Sequence, residues 1–378
     1  MLRYGGGEGG VSAEVVEAFG DIEVEYAALR KGCVLIDLPQ RGTVRVAGSD
    51  RGEFLNRMLT QELKGLERLG VRRSFWLSRK GRIEADLRVM ELGSETVIDV
   101  DVLRAARTVE TLGAFVITED VTIEDAGARF HRLALHGPTA GGLLRSVAVR
   151  LDGAGVEDLA PGSGCVVEIA GRRVTVDRQD ETGDPGFHLL LESGDVEPVY
   201  HALLAAGVDA GAGSGAIARG AARLKQAGWG AWNIARIEAG TAVFNIDFGV
   251  NNLPAETGVI DERVSFRKGC YLGQEVVARM HSLGHPKQKL VSLRVEAPAG
   301  PEAQPVTGAA VAVAGDEERV PVGAVTSSTR SPMLGDACIA LAQVKWDHTA
   351  PGTALMVQTD AGWRGARVGA SLRSWARA

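Results

Sequence analysis

The sequence changes pattern at His285-Pro286, and this change limits the fold more than any other feature. From there to Ala370 the chain breaks into short β-type runs: Leu290 to Val295, Ala309 to Val313, Val320 to Ser328, Ala337 to Val344, Ala354 to Gln358 and Arg364 to Val368. Glycine and proline turns separate them. Such runs predict a small antiparallel barrel, a form that removes exposed sheet edges by closing on itself. Upstream, Val34 to Leu38, Thr43 to Gly48, Phe75 to Leu77, Ile83 to Met90, Val97 to Val100, Arg129 to His136, Val166 to Val176 and Phe187 to Leu191 read as strands. Helical spacing covers Val11 to Lys31, Phe54 to Leu59, Leu103 to Thr111, Gly137-Pro138 through Leu144, and Val196 to Ala206. These elements do not alternate as regular βαβ units, so the fold class is α+β rather than a doubly wound parallel sheet. The expected organisation is one region over residues 11–285 and a barrel domain over 286–378.

The 378 residues suffice for two or three domains, and 45% hydrophobic with 24% charged residues is an ordinary globular balance. A net charge of −6 gives the whole chain no electrostatic reason to bind nucleic acid. No apolar run approaches the roughly 18 residues of a membrane helix, so no membrane partner is expected. Met1 to Gly10 is glycine-rich, lacks the apolar core of a secretory leader, and reads as a flexible tail. Cys33, Cys165, Cys270 and Cys338 form no CxxC pair, which argues against a zinc knuckle or a thioredoxin motif. Free thiols without a leader point to a reducing cytoplasm. A monomer is expected. Gly211 to Ala216 imitates a dinucleotide-binding glycine loop, but it follows a helix-like segment and lacks an acidic residue about 20 positions on. It reads as part of an exposed connection from Ala205 to Gly220.

Lys268-Gly-Cys-Tyr-Leu-Gly-Gln-Glu275 carries the strongest chemical signal. A strand-like run, Val264-Ser265-Phe266, precedes it, and a helix-like run, Glu275 to Met280, follows. A thiol at a turn into a helix, beside Lys268, is placed to favour its thiolate. Between Glu262 and Leu290 the cations Arg263, Arg267, Lys268, Arg279, Lys287 and Lys289 face only Glu262 and Glu275, a local field that suits an anion. The plainer reading of Cys270 is an apolar filler at a strand end. Arg236 and Glu238 close a helix-like run with Gly240 at its C-cap; they read either as a surface ion pair or as groups facing a ligand cleft. Asp86 follows the Lys80-Gly81-Arg82 turn in an alternating strand, where it is a solvent-facing residue by default, or a carboxylate able to hold an amine or move a proton. His131, His136 and His201 show no metal-ligand spacing, and no metal is expected.

Lys268 to Glu275 resembles the KGCYxGQE signature of YgfZ-type folate-binding proteins, relatives of the glycine-cleavage T-protein (aminomethyltransferase). Arg45 to Leu55, Lys80 to Val89, Leu133 to Ala140, Arg236 to Gly240, Asn252-Leu253-Pro254 with Glu256, and Val322 to Val344 are similar to further elements of that superfamily, in order, over roughly residues 20 to 370. The resemblance implies two interleaved α+β subdomains and a C-terminal antiparallel β-barrel, set as a three-part ring around a central channel that holds tetrahydrofolate. It implies catalytic roles for Cys270, Lys268 and Asp86, and cofactor contacts from Asp86, Arg236, Glu238, Asn252, Tyr271, Gln274 and His188. Two departures stand out. Of the two adjacent aspartates after the glycine turn only the second is kept, as Asp86, and the pterin-holding glutamate of a GFE element is replaced in Gly186-Phe187-His188. A histidine cannot offer the two-pronged acceptor that a pterin amidine prefers. The function implied is tetrahydrofolate-dependent assembly or repair of iron–sulfur clusters, with client or assembly proteins as partners; a folate-dependent aminomethyltransferase or demethylase is the alternative. One cysteine cannot hold a cluster alone, so cluster carriage requires a partner.

Overall fold

The computed structural model describes residues 1–5, 11–209, 224–296 and 300–375. The glycine loop at 211–216, and the Ala/Gly connection from residue 210 onward, lie outside the described residues. The chain forms two compact units, Met1–Ser74 with Asp86–Asn233, and Phe75–Ala85 with Ile234–Ala378.

The first unit opens with the hairpin β1 (Leu2–Gly5) and β2 (Ser12–Val15). Residues 2–5 of the expected tail are therefore ordered, and the Tyr4 hydroxyl bonds to Asp101. The expected helix over 11–31 starts only at α1 (Ile22–Lys31). Asp21 sets that start, its carboxylate accepting from the backbone N–H groups of Glu23 and Val24. Buried Glu25 accepts from the N–H groups of Phe19, Gly20 and Gly228, which bends the chain away from helix before Asp21.

After α1 come β3 (Cys33–Asp37), β4 (Arg41–Ala47), α2 (Arg51–Met58), β5 (Val71–Leu77), β6 (Ile83–Glu91), β7 (Glu95–Asp101), α3 (Ala105–Gly113) and β8 (Thr122–Asp125). The chain then runs through β9 (Phe130–His136), α4 (Ala140–Val147), β10 (Val149–Gly153), β11 (Gly164–Ile169), β12 (Arg172–Arg178), β13 (Gly186–Glu192), α5 (Val196–Asp209), β14 (Leu224–Gln226) and α6 (Trp229–Glu238). Strands order as β10-β11-β12-β13-β9-β3-β14 in one sheet and β5-β6-β7-β4-β8 in the other. The second sheet is inserted in sequence between β3 and β9, so the two are interleaved. Leu133, Leu135, Phe187, Leu189 and Leu191 on one face of the seven-stranded sheet pack with Leu143, Leu144, Val199 and Leu203 of α4 and α5. On the opposite face, Val166 and Leu190 meet Met90 and Val97 of the five-stranded sheet. Strand alternation therefore sends Arg132, His136, Asp177 and His188 into the space between the sheets.

The second unit holds α7 (Ile260–Arg263), α8 (Gln274–Leu283), and strands β15 (Gln288–Val295), β16 (Ala310–Val313), β17 (Pro321–Ser331), β18 (Ala337–Lys345), β19 (Ala354–Thr359) and β20 (Gly362–Val368). The six strands close as β15-β18-β17-β16-β19-β20, the barrel expected from the sequence. Val291, Leu293, Val295, Val311, Val325, Ala340, Ala342, Leu355 and Val357 fill its interior. Leu290, Ile339 and Leu341 cluster with Phe75, Ile237, Phe244, Phe248, Val264, Tyr271 and Val277. Val264-Ser265-Phe266 is not a strand. The Ser265 hydroxyl accepts from the N–H groups of Arg267 and Lys268, and this local turn competes with extended pairing.

Candidate functional site

In the first unit the chemistry gathers between the two sheets. Arg88 and Asp99 are directly opposite on β6 and β7, and Arg88 Nη2 lies 2.6 Å from Asp99 Oδ2. Asp99 Oδ1 also lies 2.7 Å from Arg41 Nε and 3.4 Å from Arg132 Nε. One buried carboxylate thus faces three guanidinium groups. Burial alone would raise its pKa, but Arg132, Arg41 and Arg88 hold it well below the usual carboxylate range.

Arg88 extends the network across to the other sheet. Its Nη1 is 3.4 Å from Asp177 Oδ2 on β12, and its Nη2 donates to His188 Nδ1 at 2.9 Å on β13. A guanidinium can only donate, so Nδ1 is the acceptor and the neutral His188 ring carries its proton on Nε2. That nitrogen lies 3.4 Å from Glu181 Oε2 in the loop between β12 and β13. Arg73 Nη2 holds Glu181 Oε1 at 2.9 Å and Gln179 Oε1 at 2.8 Å. The ring of His136, at the end of β9, stands 6.0 Å from that of His188, edge to face. Burial pushes His136 down to about 4, with His188 adding to it; burial and Arg88 also lower His188.

Asp86 belongs to this unit. Strand periodicity puts Glu84, Asp86 and Arg88 on one face of β6, while Ile83, Ala85, Leu87 and Val89 are buried on the other. Asp86 is half-buried on the same face as the buried Arg88. His136, Glu181 and His188 each bring one potential ligand atom within 4.8 Å of the other two. Linear spacing could not show this, because strand register and a loop bring together residues far apart in sequence. Arg88 and Asp99 were missed for a similar reason: a charge within an alternating strand reads as the solvent face, and here that face meets another sheet.

The remaining predicted residues belong to the second unit. Arg236 is buried on α6, where it pairs with Asp247 and donates to the Ser327 hydroxyl at 2.6 Å. Glu238 is also buried and accepts from the Ser331 hydroxyl, so both residues engage β17. The side chain of Asn252 accepts from Gly249 N–H at 2.9 Å and donates to Glu256 at 3.0 Å. Its carbonyl receives Ile83 N–H at 3.0 Å, at the start of β6. These groups tie the hairpin tip and the barrel to the segments around 236–256.

The octapeptide forms the irregular entry to α8. Lys268 is buried with Nζ 5.5 Å from the centre of the Tyr271 ring, and burial raises the Tyr271 phenol to about 12. Gly273 stands at the N-cap of α8 with φ +81. A Cβ there would lie 2.8 Å from Ser78 O and 3.1 Å from Gly81 Cα, so the two glycine motifs are packed backbone to backbone. Gln274 is the first residue of α8 and its N–H donates to Tyr271 O at 3.2 Å. Cys270 is exposed, whereas Cys33, Cys165 and Cys338 are buried. Burial raises all three of those thiols, Cys165 and Cys338 to about 11.

The GCVT N-terminal domain matches residues 12–268, and the glycine cleavage T-protein C-terminal barrel domain matches residues 288–372. The chain belongs to the glycine cleavage T-protein family. The aminomethyltransferase of Streptomyces avermitilis is 29% identical over 345 residues, spanning 89% of this chain and 84% of that protein. That of Saccharopolyspora erythraea is 28% identical, spanning 88% and 84%. The crystal structure of glycine cleavage system aminomethyltransferase T from Bartonella henselae superposes with a TM-score of 0.78 over 94% of this chain and 89% of that one, a likeness of fold at 21% identity. Among the described residues, no helix of this T-protein relative is long and apolar enough to cross a membrane.

Proposed function

We propose that this T-protein family member is a tetrahydrofolate-binding protein in which Cys270 serves iron–sulfur cluster assembly or repair. The observation that carries the reading is the contrast among its thiols. Cys270 alone of the four is exposed, and it sits in the KGCYLGQE segment whose second glycine is packed on the Lys80-Gly81 turn. Family membership supports folate as the ligand. Asp86, half-buried on the Arg88 face of β6, fits an acceptor for a folate amine. His188 does not reproduce the carboxylate that the family directs at the pterin, because its Nδ1 already accepts from Arg88. Folate, when bound, would supply the one-carbon chemistry, and Asp86 would orient its amine and hold or release a proton there. The boundary between the folate-binding region and the barrel domain is placed near residue 285, and the protein is assigned to the cytoplasm as a monomer.

Calorimetry with tetrahydrofolate tests the ligand: wild type binds and Asp86→Ala binds at least tenfold more weakly. Absence of binding by wild type would sink the folate reading. For the thiol, a strain lacking this protein recovers cluster-enzyme activity with wild type and not with Cys270→Ala; full recovery with the variant removes Cys270 from the function. The names of the curated relatives, aminomethyltransferases, favour a second reading, aminomethyl transfer, with the proposed folate as its acceptor. Asp86-dependent release of 5,10-methylenetetrahydrofolate from a methylamine-type donor would place it first.

A further inference from the structure

We propose that His136, Glu181 and His188 form a binding site for a divalent first-row transition ion, with Zn2+ as the reference. Two imidazoles and a carboxylate are the borderline nitrogen and oxygen donors that such ions take, and three protein ligands leave a position open for water or substrate. Bonds of about 2.0–2.2 Å set neighbouring ligand atoms of a tetrahedral ion roughly 3.4 Å apart. His188 Nε2 and Glu181 Oε2 already stand 3.4 Å apart. All three ligand atoms lie within 4.8 Å of one another, so His136 closes the triad by a ring movement of at most about 1.5 Å.

His136 supplies the independent observation. It is fully buried at 0% exposure, and neither ring nitrogen has a hydrogen-bond partner among the described residues. A buried donor left unpaired costs about 1–3 kcal/mol, so such a ring persists where something else uses it. The backbone is shaped around it. Gly186 is its register partner across β9 and β13, and a Cβ on Gly186 would stand 2.4 Å from His136 Nδ1.

The surroundings can absorb the change. Ligation through His188 Nε2 requires the ring proton to move to Nδ1 and Arg88 to leave that atom. Arg88 Nη2 makes both the His188 contact and the 2.6 Å contact to Asp99, and Nη1 lies 3.4 Å from Asp177, so the guanidinium has two carboxylate partners to turn toward when it withdraws from the ring. Asp177 lies directly across the strand pair from His188 and becomes the acceptor for the Nδ1 proton, the carboxylate–histidine–metal relay that orients ligating imidazoles. Arg73 yields Glu181 to the ion and retains Gln179 at 2.8 Å. Nothing in this inference depends on folate, and its test contains none.

The test uses the full chain in a Cys270→Ser background, so that the exposed thiol contributes nothing. Equilibrium dialysis against Zn2+ should give one equivalent bound. Co2+ should produce the visible bands of a four- or five-coordinate nitrogen and oxygen site. Glu181→Gln and His136→Gln should each weaken Zn2+ binding at least tenfold, and Zn2+ should raise the melting temperature of the parent but not of Glu181→Gln. Glu181 is on a partly exposed loop, so that variant carries the test if His136→Gln does not fold. No stoichiometric binding by the parent, or undiminished affinity in Glu181→Gln, overturns the proposal.

Discussion

The interior of the six-stranded barrel is filled by Val291, Leu293, Val295, Val325, Leu355 and Val357, whereas the space between the two sheets of the first unit holds Arg88, Asp99, Arg132, Asp177 and His188. Both are buried faces of antiparallel strands. In the barrel, closure and aliphatic packing are sufficient, and each fully buried Val or Leu contributes about 1.5–3 kcal/mol. Between the sheets, every charge removed from water must find a partner, and three arginines converge on one aspartate. An apolar core tolerates exchange of one aliphatic residue for another; a charged layer does not tolerate loss of one member. The residues that meet that stricter condition in this structure are also those with chemistry to offer.

The sharpest way to break this contrast is Asp99→Asn. It keeps the shape and leaves Arg41, Arg88 and Arg132 without their shared counter-charge, so about 3–5 kcal/mol of stability should be lost. Urea unfolding measures it; a loss below about 1 kcal/mol would mean that the layer is not held by charge. The wild type should also show an acid limb that the variant has largely lost. Because Asp99 is held below its ordinary value of 3.8, its contribution is complete above about pH 4 and declines as pH falls further. Leu293→Ala is the counterpart in the barrel. Leu293 is 1% exposed, and truncation should cost about 2–4 kcal/mol with no dependence on pH between 3 and 7. An acid limb in the difference between this variant and wild type would erase the distinction between the two regions.

The same contrast explains what the sequence could disclose. Barrel strands are legible because alternation is local: Val291, Leu293 and Val295 face in while Arg294 faces out, all within one run. Gly240 at positive φ after α6 is legible for the same reason, since a helix end needs such a residue at that point. Arg88 and His188 are not, because their meaning depends on strands about a hundred positions apart. Val264-Ser265-Phe266 misleads in the opposite direction: two apolar residues suggest a strand, and one serine hydroxyl turns the chain. The octapeptide was visible as a motif, but not the reason for its second glycine, which lies in the approach of Ser78 and Gly81.

That approach gives a prediction of intermediate size. Gly273→Ala must adopt φ +81 with its new carbon 2.8 Å from a backbone oxygen, and should cost about 1–3 kcal/mol. Since the strain falls at the entry to α8, hydrogen exchange should rise at 268–283 before it rises in the barrel strands. Uniform exchange across the second unit would show that the octapeptide is not locally anchored.

The smallest effect on stability is expected where the chemistry is most exposed. Cys270→Ser removes a sulfur that faces solvent, so the unfolding free energy should stay within about 0.5 kcal/mol of wild type. Thiol titration with a chromogenic disulfide should nevertheless change outright. In the native wild type one thiol of four reacts rapidly and Cys33, Cys165 and Cys338 react only on unfolding, because each is buried in an apolar cluster or sheet and its thiolate is disfavoured. In the variant the rapid phase should vanish while the three slow thiols remain. A rapid phase that survives Cys270→Ser would mean that a buried thiol is reached by local opening, and the division between an inert interior and a reactive entry to α8 would fail.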